Sequence, residues 1–118
     1  MGMEHTLQKA IVQVMRLNGY LTINTDVFFC LSMAGNNLKK RVATINGLKS
    51  LGATIGTPDL IFLKKDEILF VEMKDGNKGK LSAEQKQVIK TLTEMNFNVQ
   101  VWRSIEDCVA YLEWRNEK

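Results

Sequence analysis

The chain has one proline, one histidine and two cysteines among 118 residues. A single histidine and no CxxC pair leave no ligand set for a zinc site of the usual nitrogen and sulfur kind. Cys30 and Cys108 lie far apart in apolar stretches and read as buried thiols of a reducing compartment, not as a disulfide frame. No apolar run approaches the roughly 20 residues that cross a bilayer. The start, MGMEHTLQKA, lacks the apolar region of a secretory signal. The expectation is a cytoplasmic protein with no membrane partner. Internal repeats, low-complexity tracts and Pro- or Ser-rich linkers are also missing, so residues 1–118 read as a single domain.

What is present is ordinary globular material, 45% hydrophobic and 25% charged. A net charge of +3 and a pI near 8.9 suit a polyanionic partner without requiring one. Between Glu4 and Asn18, Leu7, Ala10, Ile11 and Val14 recur at helical spacing, with Gly19 as the stop. Tyr20 to Met33 is rich in β-branched and aromatic residues and predicts one or two strands, foremost Val27 to Leu31. A helix is expected from near Asn37 to Gly52, weakened by Gly47. Two strands follow, Asp59 to Leu63 and Ile68 to Lys74. Ser82 opens the clearest helix, because "SAEQ" has capping-box form and Val88, Ile89, Leu92 and Met95 make its apolar stripe. "NVQVWR" alternates as a strand, and a last helix from Ser104 is expected to pack Ile105, Cys108, Val109 and Leu112. This order predicts a small α/β domain, a mixed β-sheet flanked by helices.

One stretch breaks the pattern. "GTPDLIFLKKDEILFVEMK" is mostly apolar and strand-like, yet it holds an Asp after the only proline and a Glu and a Lys in its most hydrophobic run. Buried charge is costly unless it is paired or bound to metal. Glu72 and Lys74 alternate with Val71 and Met73, so they share one face of their strand. A symmetric hairpin centred between Lys65 and Asp66 pairs Leu63 with Ile68, Ile61 with Phe70 and Asp59 with Glu72. Two opposed carboxylates repel unless a cation lies between them, and an oxygen-only pair suits Mg²⁺ or Mn²⁺. Pro58 fixes the direction of entry into the strand, and Gly56 allows a tight turn with room for a ligand. A lysine beside such a metal orients water or stabilises charge on a phosphate.

Here the residues resemble a known family. Pro58–Asp59, followed after twelve residues by "EMK" at Glu72 to Lys74, resembles the PD-(D/E)XK nuclease signature. The longer string of "GTPDLIF", "FVEMK" and "LSAEQ", with "EHTLQ" in the first helix and "LKSLGATIGTPD" before the motif, is similar to the VRR-NUC family (virus-type replication-repair nucleases). It runs from residue 4 to about 103, with little chain beyond it, as in the stand-alone phage and bacterial members. The resemblance implies a restriction-endonuclease-like core, a role in DNA repair or recombination in a bacterial or phage-infected cell, and a homodimer acting on branched or flapped DNA. It implies that Asp59, Glu72 and the Met73 carbonyl bind the metal and that Lys74 is catalytic. Glu4 would be the first-helix acid, binding metal directly or through water, and Gln85 the helix-borne glutamine beside the site.

Each residue also has a plain structural explanation. Asp59, Glu72 and Lys74 could be a solvated strand face with a surface ion pair. Glu4 suits a helix's first turn, and Gln85 partners Ser82 in the capping box. His5 should face away from Glu4 as a surface residue, and Trp102 and Trp114 read as core or dimer contacts. Among the basic residues, Lys78 and Lys80 in the glycine-rich "DGNKGKLS" are the first candidates for phosphate contacts. Lys39, Lys40 and Arg41 form a second basic candidate. Two rivals to a nuclease remain, a catalytically silent nucleic-acid-binding module with the same fold and a structural or partner-binding protein with incidental charges.

Overall fold

The computed structural model describes residues 3–25, 46–47, 49–50, 52, 54–76 and 78–117. Helix α1 (Met3–Leu17) leads to strand β1 (Leu21–Asn24), and β2 (Leu60–Lys64) and β3 (Glu67–Met73) form a hairpin. Helix α2 (Ala83–Glu94), strand β4 (Asn98–Trp102) and helix α3 (Ile105–Asn116) complete the described elements. The sheet order is β1-β2-β3-β4, with β1 and β2, and β2 and β3, antiparallel and β3 and β4 parallel. This is the small mixed sheet flanked by helices that the sequence predicts. Residues 46–47 and 49–50 are helical, as expected. Val27 to Leu31, Cys30 and the start of the Asn37 helix lie outside the described residues.

Local chemistry explains where elements stop. Helix α1 ends in a Schellman arrangement: Tyr20 N–H donates to the Met15 carbonyl and Gly19 N–H to that of Arg16. Gly19 takes the left-handed conformation this needs, at φ +88°. Ser82 and Gln85 form the expected capping box on α2. A two-residue loop, Lys65–Asp66, closes the hairpin with Asp66 at φ 63°.

The core lies on one face of the sheet. Leu60, Phe62, Leu69, Val71, Met73 and Trp102 from the strands meet Ile11 and Met15 of α1 and Cys108, Tyr111 and Leu112 of α3. Helix α2 adds nothing to this cluster and lies against β4, on the opposite face. One residue in each expected stripe is corrected. Among its described residues α2 has no buried side chain, Val88, Ile89 and Leu92 are half-buried, and Met95 is exposed. In α3, Val109 is exposed, and Tyr111 takes the buried place.

Candidate active site

The hairpin register sets the geometry. Leu63 pairs with Ile68 and Ile61 with Phe70, as a loop centred on Lys65 and Asp66 requires. The ladder then stops at Leu60 and Val71, one pair short of Asp59 and Glu72. The expected cross-strand carboxylate pair is therefore corrected: Asp59 sits in a bend just before β2. Two bonds fasten this bend to the end of β1, from Thr25 N–H to the Asp59 carbonyl (2.8 Å) and from the Thr25 hydroxyl to the Pro58 carbonyl. Out of the ladder, the Asp59 side chain turns across the hairpin, and its Oδ2 accepts from Met73 N–H at 2.9 Å. One hydrogen bond thus ties the "PD" segment to the "EMK" segment.

Glu72 and Lys74 share the sheet face opposite the core, because Val71 and Met73 point into it. Glu72 is nevertheless 1% exposed, the single charged residue among the buried ones described. Lys74 Nζ stands 4.0 Å from Glu72 Oε2. A charge this far from water calls for a compensating ion or polar partner. In extended backbone the N–H and C=O of one residue face the same neighbouring strand, so the Met73 carbonyl is directed towards the Asp59 side. The Asp59 and Glu72 carboxylates and this carbonyl are all hard oxygens, a donor set that fits Mg²⁺ or Mn²⁺ and not a soft metal. Among the described residues there is no cluster of three or more His, Cys, Asp or Glu side chains that could hold a metal ion.

The other sequence candidates fall in different places. Glu4 lies in the first turn of α1, with its side chain outside the described atoms. Gln85 commits its Oε1 to Ser82 N–H at 2.8 Å, within the capping box. That end of α2 is docked on Gly56: a Cβ there would lie 2.5 Å from the Glu84 carbonyl carbon and 2.8 Å from Gln85 N. The room for a ligand expected at Gly56 is thus filled by helix backbone, while the expected tight turn is present at φ +91°. Lys78 and Lys80 are exposed on the loop after Lys74. Lys39, Lys40 and Arg41 lie outside the described residues. His5 is exposed, Trp102 is core, and Trp114 is half-exposed.

Two groupings escaped the sequence. Arg103, at the β4–α3 junction, donates through Nη1 to the Gly76 and Gly79 carbonyls of the loop after Lys74. At the other end of β3, Glu67 accepts from the Tyr20 hydroxyl (2.6 Å), the Tyr111 hydroxyl (2.9 Å) and Arg115 Nε (2.9 Å). Burial works against ionisation of Glu67, but these three donors outweigh it and hold the carboxyl below its usual range. Burial, and then the bond to Glu67, push both tyrosine hydroxyls up. Burial alone pushes the Cys108 thiol up to about 11, which leaves it an inert core group.

Comparison with known proteins agrees with the fold. The model of the VRR-NUC domain family matches residues 4–106. A solved structure titled "VRR_NUC domain protein" superposes with a TM-score of 0.52 at 22% identity, over 59% of this chain and 60% of that one. No curated protein sequence matches. VRR-NUC domains are nuclease domains, and the matched span includes every element described above apart from the greater part of α3. The chain belongs to the VRR-NUC domain family.

Proposed function

We propose that this protein is a Mg²⁺- or Mn²⁺-dependent endonuclease that hydrolyses phosphodiester bonds in branched or flapped DNA. The observation that carries the reading is the bond from Met73 N–H to Asp59 Oδ2, which sets the Asp59 carboxylate against the strand end that bears Glu72 and Lys74. Asp59, Glu72 and the Met73 carbonyl would hold the ion, with Glu4 as a further acid, directly or through water. When bound, such an ion stabilises charge on the phosphate and lowers the pKa of water.

The chain's own residues do the rest. Met73 N–H occupies one oxygen of Asp59 and so orients the other. The burial of Glu72 keeps its carboxylate in a medium where charge interactions are stronger than in water. Lys74 is a cationic donor on the same face, suited to positioning the attacking water or to the charge that grows on the phosphate. Gln85, in the first turn of α2, would be the helix-borne glutamine beside the site. Lys78 and Lys80, with the Lys39 to Arg41 segment, would hold the DNA by its phosphates, which favours recognition of shape over sequence. A homodimer would present two such sites to a symmetric junction.

End-labelled four-way, flapped and linear DNAs incubated with Mg²⁺, Mn²⁺ or Ca²⁺ test this. Cleavage of the branched substrates in Mg²⁺ or Mn²⁺, and not with chelator, is the expected result. Binding without cleavage in every metal would identify a silent DNA-binding module instead.

A further inference from the structure

Arg103 follows the last residue of β4, and its backbone N–H is held by Asp107 Oδ2 of α3 at 2.7 Å. Its side chain crosses to the loop after Lys74, where Nη1 donates to the Gly76 carbonyl at 2.8 Å and to the Gly79 carbonyl. The loop is itself a tight turn, since Lys78 N–H and Gly79 N–H both donate to the Asp75 carbonyl at 3.1 Å. Gly79 is pressed against the base of Lys74. A Cβ at Gly79 would lie 3.1 Å from Lys74 Cβ, 3.1 Å from Lys74 Cδ and 3.1 Å from Asp75 N. Arg103 therefore holds Gly79, and Gly79 walls in the aliphatic stem of Lys74 along two of its carbons. The Lys74 backbone is fixed from the same quarter, because its N–H donates to the Trp102 carbonyl at 3.0 Å.

We propose that Arg103 is a positioning residue for Lys74. It clamps the loop at Gly76 and Gly79 so that Gly79 confines the lysine stem, which aims Nζ to the side of Glu72. A lysine side chain has many rotamers to lose, and a wall along its stem removes those that point away from the Glu72 side. This rests on the nuclease reading for its kinetic consequence but not for its structural one, so the two are measured separately.

The experiment uses full-length wild type, Arg103→Ala, Arg103→Lys and Gly79→Ala. Hydrogen exchange at the Lys78 and Gly79 amides reads the clamp, single-turnover cleavage of branched DNA reads the lysine, and DNA affinity in Ca²⁺ reads binding. Arg103→Ala should exchange at least tenfold faster at those two amides, with β3 amides unchanged. It should cleave at least tenfold more slowly while DNA affinity stays within threefold. Arg103→Lys, whose ammonium still donates to two carbonyls, should recover part of both losses. Gly79→Ala keeps the Arg103 acceptors but crowds Lys74, so it should slow cleavage with little change in exchange. An Arg103→Ala protein that cleaves within twofold of a cleaving wild type, or that exchanges like it at Lys78 and Gly79, overturns the positioning role alone. A wild type that binds DNA but cleaves none overturns the nuclease reading and with it the kinetic consequence of the clamp, whereas exchange at Lys78 and Gly79 still decides the clamp itself.

Discussion

One oxygen of the Asp59 carboxylate satisfies the Met73 N–H; in the proposed function the other would face the cation. Relief of repulsion between two acids would by itself leave the metal-free protein as stable, or slightly more so, once Asp59 is removed. The hydrogen bond reverses that sign. Asp59→Ala strands the Met73 N–H and should cost about 1–3 kcal/mol, whereas Asp59→Asn keeps an acceptor and should stay within about 1 kcal/mol of wild type. Urea melts without metal would separate the two; equal stability of both variants would mean the bond is not formed. For Lys74, replacement by Ala should abolish cleavage and leave Mn²⁺ binding and much of the DNA affinity, because in the proposed function the lysine would act on the transition state. Cleavage within a few-fold of wild type would reduce Lys74 to a charge beside Glu72. Asp59, Glu72 and Lys74 were legible in the sequence because charge in an apolar run is conspicuous. Arg103 was not: its acceptors lie 24 and 27 positions away in the chain, and nothing local distinguishes it from the charged end of a strand.

Among the elements, α2 depends on its docking more than on its own apolar face. Its described residues include none that is buried, and its first turn rests on the Cα of Gly56. Gly56→Ala would put a methyl 2.5 Å from the Glu84 backbone and strain a φ of +91°, with no flexible side chain to yield. The expected cost is at least about 2 kcal/mol, combining steric displacement with the left-handed penalty. Calorimetric melting should show a Tm lower by several degrees and reduced cleavage; an unchanged Tm would show that α2 is free to shift. Ser82→Ala, which removes the cap alone, should cost about 1 kcal/mol. Helix ends were readable because caps are local chemistry, as at Ser82 and Gly19. Helix faces were less so. Periodicity gives the direction of the apolar stripe but not its width, and Tyr111 is buried where Val109 is exposed because its hydroxyl reaches Glu67.

The molecule is braced at one end of β3 and carries its acids at the other. Glu67, with side-chain exposure of 9%, joins the start of β3 to Tyr20 and to two residues of α3. Its carboxyl is held below the ordinary 4.5, so its contribution is complete above pH 4.5 and is lost as pH falls below that, through the folded-state value. Both tyrosines are raised above 10.0, so their contribution is complete below pH 10 and is lost as pH rises beyond it. Glu67→Gln should lose about 1–3 kcal/mol at neutral pH and flatten the acid limb of the stability curve. An acid limb as steep as wild type would assign acid unfolding to other carboxylates. On the DNA side, Lys78→Ala with Lys80→Ala should lower the slope of log affinity against log salt by about 0.9 per lost contact. Metal affinity should be unchanged, and an unchanged slope would place the DNA on another face. The measurement that bears most directly on the whole account is calorimetric titration of Mn²⁺ into wild type, Asp59→Asn and Glu72→Gln, each first shown to be folded by its melting curve. Binding by the wild type and at least a tenfold loss of affinity in both variants is the expected result; undiminished affinity in either one would contradict a metal held by these two acids.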